Sequence, residues 1–360
     1  MSQETFTDIC PTQLIYGSIK DKIITIIEGK ECIIVTTSHS PYSLGIIDIV
    51  KQVFKENNVD YFIYDKITPN PLYTSIKECV DLTKNFGDFI LGIGGGSAID
   101  AAKAVSLMKN GVDILNSDGN GIPVNGILTL SGSGTEVTPF SILNLPNGTK
   151  KSIKAHMFLG KCLIDKDLQL HISDKYQCAL VIDILSHCIE SYLSVKATPR
   201  SMEASKKGIQ MIFRHGKIGI QQIREMDCIS ASVIGGVAIT VAGTSVPHGL
   251  GYYITTHYGI SHGFACGIFS CAYLKLSEKQ EICGKRLKLL YDELNIQSGE
   301  IGLFVNNLLY QFMDKVQVKE QEVAIMVNEF LASGKNKQHP DFLDQNNIKD
   351  IIQESVNVIA

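Results

Sequence analysis

The chain reads as an α/β N-terminal domain, a doubly wound and mostly parallel Rossmann-like sheet, followed by an all-α C-terminal domain. Two observations predict this. Up to about residue 165, short apolar runs rich in β-branched residues alternate with helical patterns, the arrangement of a parallel sheet wrapped by helices. From about Ile172 onward a 3.6-residue periodicity dominates and strand patterns nearly vanish. The expected boundary gives units of 1–166 and 167–360, and 360 residues with 44% hydrophobic content suffice for two packed cores. There is no internal repeat, low-complexity tract or obvious linker.

The elements follow in order. Cys32-Ile-Ile-Val-Thr36 is short, continuous and apolar, as a buried parallel strand should be. An amphipathic helix is expected from Ser43 to Glu56, then a strand from Asp60 to Tyr64. Pro69-Asn-Pro71 marks a turn into a helix whose apolar face carries Ile76, Val80 and Leu82. Asp88 to Ile93 forms a third strand that ends in Gly94-Gly-Gly-Ser97 and runs directly into a helix from Ala98 to Met108. Another apolar strand precedes a second loop, Thr129-Leu-Ser-Gly-Ser-Gly-Thr-Glu-Val-Thr138. Phe140 to Leu145 and Ser152 to His156 flank Pro146-Asn-Gly148, a hairpin signal, with Lys150 and Lys151 on its returning edge. Cys162 to Asp165 is the last expected strand, and Gly235, Gly236, Gly243 and Gly263 are expected as helix breaks or close contacts in the helical half.

The strand-loop-helix at Gly94 is an anion site by geometry. Glycines let backbone amides approach a pyrophosphate, and the helix start adds the positive end of its macrodipole. The run is not the usual G-x-G-x-x-G, and a glycine turn also serves tight packing. The second loop offers hydroxyls and amides to the same ligand, which raises cofactor binding above packing alone.

In the helical half, Asp183 and His187 stand four residues apart and share one helix face. By themselves they read as a hydrogen-bonded structural pair as readily as half of a metal site. His248 and His262, each before a glycine, offer two further donors, and one Asp with three His suits a divalent ion such as Fe(II) or Zn(II).

Composition excludes several classes. A net charge of −4 with no basic stripe points away from nucleic acid and from a polybasic membrane anchor, leaving small molecules as partners. The N-terminus lacks the pattern of a signal peptide, and no apolar run reaches spanning length. Ten cysteines are scattered without a C-x-x-C pair, so they are expected reduced and buried, in the cytoplasm. Cys188 and Cys266 are expected to be structural, turned to faces other than those of the nearby ligands.

With these residues in view, the chain resembles the iron-containing (group III) alcohol dehydrogenases, whose fold is shared with glycerol dehydrogenase and dehydroquinate synthase. Gly94-Gly-Gly-Ser-Ala-Ile-Asp-Ala-Ala-Lys103 is similar to that family's pyrophosphate loop, Ser131-Gly-Ser-Gly-Thr-Glu-Val-Thr138 to its A-G-T-G-S-E-V-T loop, and Asp183-Ile-Leu-Ser-His-Cys-Ile-Glu-Ser-Tyr192 to D-A-L-T-H-A-I-E-A-Y. The segment from Asn336 to Ile352 is similar to its closing N-P-x-x-L-x-x-x-D-I pattern. Departures are Val181 for glycine, Leu128 for proline, Leu130 for threonine, and Tyr252 where many members carry a further histidine.

The resemblance implies that Asp183, His187, His248 and His262 hold one divalent metal, Fe(II) first and Zn(II) second. It implies NADP or NAD, with contacts from Thr37, Gly94, Gly95, Gly96, Ser97, Asp100, Thr129, Ser131, Ser133, Thr138 and Lys151. The implied reaction is hydride transfer between a nicotinamide and a small primary alcohol or aldehyde, with the metal as Lewis acid. A cytoplasmic homodimer is expected, and Tyr252 and His257 are open to two readings, a path that passes the proton outward or simple wall or surface residues. Alternatives on the same fold are a polyol dehydrogenase and a lyase of the dehydroquinate synthase type. A lyase should crowd Lys and Arg around the ligands, whereas the basic residues lie mainly from Lys196 to Lys217; a non-catalytic nucleotide binder would not need the ligand set. The first strand commonly ends Val-Thr-Asp in the family and here runs Val35-Thr-Thr-Ser-His-Ser40, so hydroxyls stand where an acidic residue would repel a 2′-phosphate. NADP(H) is therefore expected to serve at least as well as NAD(H).

Overall fold

A computed structural model describes residues 8–154, 157–170, 172–213, 223 and 226–359. The expectations that fall on the N-terminal seven residues, on His156 and on Lys217 lie outside these. Contacts divide the chain into two compact units, 1–171 and 172–360.

The first unit is built on a six-stranded, all-parallel sheet. Its strands are β1 (Gln13–Tyr16), β2 (Glu31–Thr36), β3 (Asp60–Tyr64), β4 (Phe89–Gly94), β5 (Val124–Leu128) and β8 (Lys161–Ile164), in the order β1-β8-β5-β4-β2-β3. Every residue of β4 and β5 is buried, as covering by helices on both faces demands. The helices α1 (Ile46–Glu56), α2 (Tyr73–Leu82) and α3 (Gly96–Lys109) follow β2, β3 and β4. α3 is buried continuously from Ala98 to Leu107. Its alanines let it lie close on the sheet, where a Cβ on Gly92 would stand 2.9 Å from the Ala102 methyl. A separate antiparallel pair, β6 (Phe140–Asn144) and β7 (Lys150–Lys154), is the expected hairpin, with Gly148 at φ 80° in its turn.

Three expectations need correction. The helix expected from Ser43 is split: Ser40–Ser43 forms a single turn, Gly45 adopts φ 69°, and α1 starts at Ile46. The left-handed glycine ends one helix and redirects the chain. Ile76 is buried as expected and Val80 half-buried, but Leu82 is 56% exposed and Cys79 is buried in its place, with Thr83 buried just beyond the end of α2. β1 has no counterpart among the expected strands, because four residues on a sheet edge carry too little pattern.

The second unit is helical: α4 (Asp174–Leu193), α5 (Pro199–Phe213), α6 (Cys228–Ala242), α7 (Val246–Tyr258), α8 (His262–Lys279), α9 (Glu281–Leu294), α10 (Glu300–Phe312), α11 (Glu320–Ser333) and α12 (Gln345–Ile359). α4 runs through its centre, with both faces buried from Val181 to Leu193. Gly235 and Gly236 lie inside α6 and do not break it; a Cβ on Gly235 would meet Cys188 Sγ and His187 Cβ at 3.6 Å. Gly243, at φ 70°, does end α6. Among the described residues no single helix is long and apolar enough to cross a membrane; α6 and α7 together pass by length and composition, but they are bent by 109°.

Candidate functional site

Asp183, His187 and Glu190 occupy successive turns of one face of α4, all buried. Pro247 sits in the first turn of α7, where its missing N–H costs nothing, and brings His248 into that turn. Gly259, at φ 67°, ends α7 and turns the chain into α8, whose first residue is His262. Gly263 explains how close α8 comes to α4: a Cβ there would stand 1.9 Å from the carbonyl oxygen of Ala179. Only glycine permits that crossing, and the crossing sets His262 beside Asp183.

The side chains converge. His248 Nε2 lies 3.4 Å and His187 Nε2 3.8 Å from Asp183 Oδ1. The His187 and His248 rings stack at 4.6 Å, and the His248 and His262 rings meet edge to face at 5.2 Å. Donor atoms of Asp183, His248, His262 and Cys266 all lie within 4.8 Å of one another. His187 borders this group through Asp183.

Asp183 Oδ1, His187 Nδ1 and His248 Nε2 are buried without a hydrogen-bond partner. An unsatisfied buried polar atom costs about 1–3 kcal/mol, so three in one cluster of Asp and His fit a bound cation. Burial alone would raise the Asp183 carboxyl, but the charge of His187 and the contacts with His248 and His262 outweigh it and hold it well below the usual range. Burial pushes His187 down to about 4, against the pull of Asp183. His248 goes the other way: burial is outweighed by Cys266, Glu190 and Asp183, which raise it well above an ordinary histidine.

Glu190 is the residue that the sequence reading quoted without a role. Its Oε1 lies 2.5 Å from His248 Nδ1, and its Oε2 accepts the backbone N–H of Ser245 at 2.5 Å. The carboxylate thus occupies the start of α7, where free amides favour a negative charge. With Nδ1 held there, His248 turns Nε2 towards Asp183 and His262. The signal was present: Glu190 follows His187 by three residues, on the same face.

Cys266 corrects the sequence reading outright. Cys188, adjacent to His187, does turn away, towards Gly208 and Gly235. Cys266 is four residues after His262, so it shares that histidine's face, with Sγ 3.8 and 3.9 Å from the two ring nitrogens. Tyr252 stacks on His262 at 5.5 Å and carries the Lys335 ammonium 5.3 Å from its ring centre. His257 is exposed and packs on Tyr253 at 4.1 Å.

In the first unit the candidate cofactor residues gather at the carboxyl ends of three adjacent strands. Thr37 follows β2, Gly94 to Ser97 follow β4, and Thr129 to Ser133 follow β5, with Thr129 N–H donating to Gly94 O at 2.9 Å. The chain passes from β2 outward to β3 and then back across to β4, so the loops lie at the point where strand order reverses. The three glycines differ. Gly94 has φ 151° and a Cβ there would meet Ala98 Cβ at 2.7 Å; a Cβ on Gly96 would meet Ser133 Oγ at 2.7 Å. Gly95 has an ordinary negative φ and its Cβ would find only Leu130, at 3.4 Å. Nothing inside the protein requires glycine there.

Several expected contacts are engaged internally. Asp100, buried, accepts from Thr135 Oγ1 at 2.6 Å and Ile142 N–H at 2.9 Å, so its carboxylate shapes the second loop instead of facing a ligand. Lys103 joins it, donating to the carbonyls of Thr135, Thr138 and Phe140 at 2.6, 2.8 and 3.1 Å. Ser131 Oγ accepts from Gln169 Nε2 at 2.9 Å, and Ser97 Oγ accepts from Asn70 N–H at 3.2 Å. Thr138 is buried, Ser133 and Thr37 are half-buried, and exposed Lys151 donates to Leu115 O at 2.8 Å.

Comparison with known proteins matches residues 11–165 to the iron-containing alcohol dehydrogenase model and residues 178–356 to the C-terminal model of the Fe-containing alcohol dehydrogenase family. Long-chain-alcohol dehydrogenase 1 of Geobacillus thermodenitrificans is 29% identical over 291 residues, covering 75% of this chain and 72% of that protein. The crystal structure of an iron-containing alcohol dehydrogenase from Thermotoga maritima superposes with a TM-score of 0.86 at 27% identity, covering 97% of this chain and 98% of that one. Sulfoacetaldehyde reductase from Bifidobacterium kashiwanohense, in complex with NAD+, shares the fold with a TM-score of 0.79 at 20% identity, over 96% of this chain and 97% of that one.

Proposed function

Because the chain belongs to the iron-containing alcohol dehydrogenase family, we propose that Asp183, His187, His248 and His262 hold its divalent metal. It is an NAD(P)-linked oxidoreductase of alcohols and aldehydes. Our reading assigns the nicotinamide dinucleotide to the first unit, through Thr37, the amides of Gly95 to Ser97 and the loop from Thr129 to Ser133, and assigns the metal to the second. The observation that carries the metal assignment is the cluster of buried, unsatisfied atoms on Asp183, His187 and His248.

When bound, the metal supplies Lewis acidity to the substrate oxygen. The chain's residues prepare that site. Glu190 orients His248, Gly263 lets His262 approach, and Tyr252 closes one side of His262 with an aromatic ring. Burial raises the Tyr252 hydroxyl above an ordinary tyrosine, against the pull of His248. Small primary alcohols and their aldehydes are the substrates we favour, with Fe(II) as the ion and Zn(II) as its competitor. The lyase alternative is not favoured.

Purified protein mixed with butanal and NADH or NADPH should consume the nicotinamide steadily, and metal analysis of protein prepared without oxygen should give one ion per chain. Protein that binds the nucleotide but never oxidises it with a series of aldehydes would overturn the reading. A cytoplasmic homodimer is the assembly we favour; all ten cysteines are unpaired, which supports a reducing compartment, and light scattering tests the dimer.

A further inference from the structure

The helix face that presents His262 also presents Cys266, and the thiol is wholly buried among the proposed ligands. We propose that Cys266 is itself a ligand, a fifth protein donor that gives this metal a thiolate. The inference rests on the metal reading above and goes beyond it, since that reading needs only one carboxylate and three imidazoles.

Position is the first argument. Sγ shares a 4.8 Å cluster with donor atoms of Asp183, His248 and His262, and helix spacing fixes it there: Cys266 and His262 are one turn apart on α8. The second argument is independent of the cysteine. Asp183 Oδ1 and His248 Nε2, which face it, are both buried and lack hydrogen-bond partners. A second Cys-His-Asp group in the same unit shows the contrast. Cys283, His339 and Asp341 are as close together, but there the Asp341 carboxylate accepts the N–H groups of Ile282 and Cys283 at 2.9 and 2.8 Å, and His339 Nδ1 is 2.8 Å from Asp341 O. That group satisfies itself, whereas the group around Cys266 leaves acceptors open.

On ligation the thiol gives its proton to solvent and its sulfur lone pair to the ion, with no change of oxidation state. A thiolate among imidazoles shifts preference towards softer ions, from Fe(II) towards Zn(II).

Cobalt substitution tests this without an activity assay. The full-length protein is stripped with a chelator, loaded with Co(II), and its absorption compared with that of Cys266→Ala. The wild type should show an intense near-ultraviolet sulfur-to-cobalt band that the variant lacks, while both keep the weaker visible bands of bound Co(II). Identical spectra would overturn the proposal. Should Cys266→Ala fail to fold, X-ray absorption at the cobalt edge of the wild type decides alone: a sulfur scatterer at about 2.3 Å is expected, and a shell of nitrogen and oxygen only would refute the ligand. A wild type that takes up no Co(II) overturns the metal reading and this inference together, so the two failures are distinguishable.

Discussion

His187 shows what the site costs when it is empty. Its folded-state value of about 4 lies below the ordinary 6.5, so between those pH values the unfolded chain binds a proton that the folded chain refuses. His187 therefore withdraws stability as pH falls from 6.5 to 4, by about 3 kcal/mol across the window. His248, raised, acts with the opposite sign and mainly above pH 6.5, where the unfolded chain gives up a proton that the folded chain keeps. Chelator-treated protein should lose urea resistance steadily between pH 6.5 and 4, and His187→Gln should flatten the profile; an unchanged slope would contradict the burial argument. Glu190 acts through His248, and Glu190→Gln keeps its shape while removing the charge on Nδ1. Metal affinity should fall about 10–100-fold, measured by competition with a chelator, while Co(II) stays bound at high concentration. Thr37 bears on the cofactor. Thr37→Asp should move the ratio of kcat/KM towards NADH by disfavouring the 2′-phosphate, and a wild type that strongly prefers NADH would show that Thr37 does not set the choice.

At the scale of the element, the loop between β4 and α3 separates structural glycines from the one with room to spare. Gly95→Val is expected to preserve Tm, because its Cβ meets only Leu130, and to weaken the dinucleotide at least tenfold, because the side chain fills the space left for a pyrophosphate. Calorimetry and a fluorescence titration with NADPH check both halves, and an unchanged Kd would remove the loop from the binding site. The strands around this loop were legible in the sequence because β4 and β5 are buried throughout and β2 from Cys32 to Thr36, which makes each a continuous apolar run. β1 was not, since it has four residues on a sheet edge and buries only Leu14. In the helical unit the i, i+4 spacing that exposed Asp183 and His187 also pairs His262 with Cys266. Helical phase, not distance along the chain, brings Cys266 into the cluster. Asp100 is expected as a ligand contact because it sits in a nucleotide-loop pattern, yet its charge, with that of Lys103, is used between α3 and the loop at Thr135. A pattern of residue types does not say which way a carboxylate turns.

Across the whole molecule the two proposed chemistries fall in different units, the candidate dinucleotide loops before residue 171 and the candidate metal cluster after it. His262→Ala should therefore abolish metal retention and turnover while leaving NADPH binding largely intact, since His262 and the proposed pyrophosphate contacts belong to different units. Elemental analysis beside a coenzyme titration tests this, and a variant that keeps both metal and activity would remove His262 from the ligand set. β1 and β8 carry a different consequence. β1 is the earliest strand among the described residues, and it pairs from Gln13 to Tyr16 with β8, from Lys161 to Ile164. During synthesis it must wait, unpaired, for nearly all of its unit to leave the ribosome. The sheet acquires that edge in a late long-range closure, the slow kind of contact. A nascent chain halted before β8 presents β5 as an open strand edge, available to any neighbouring chain.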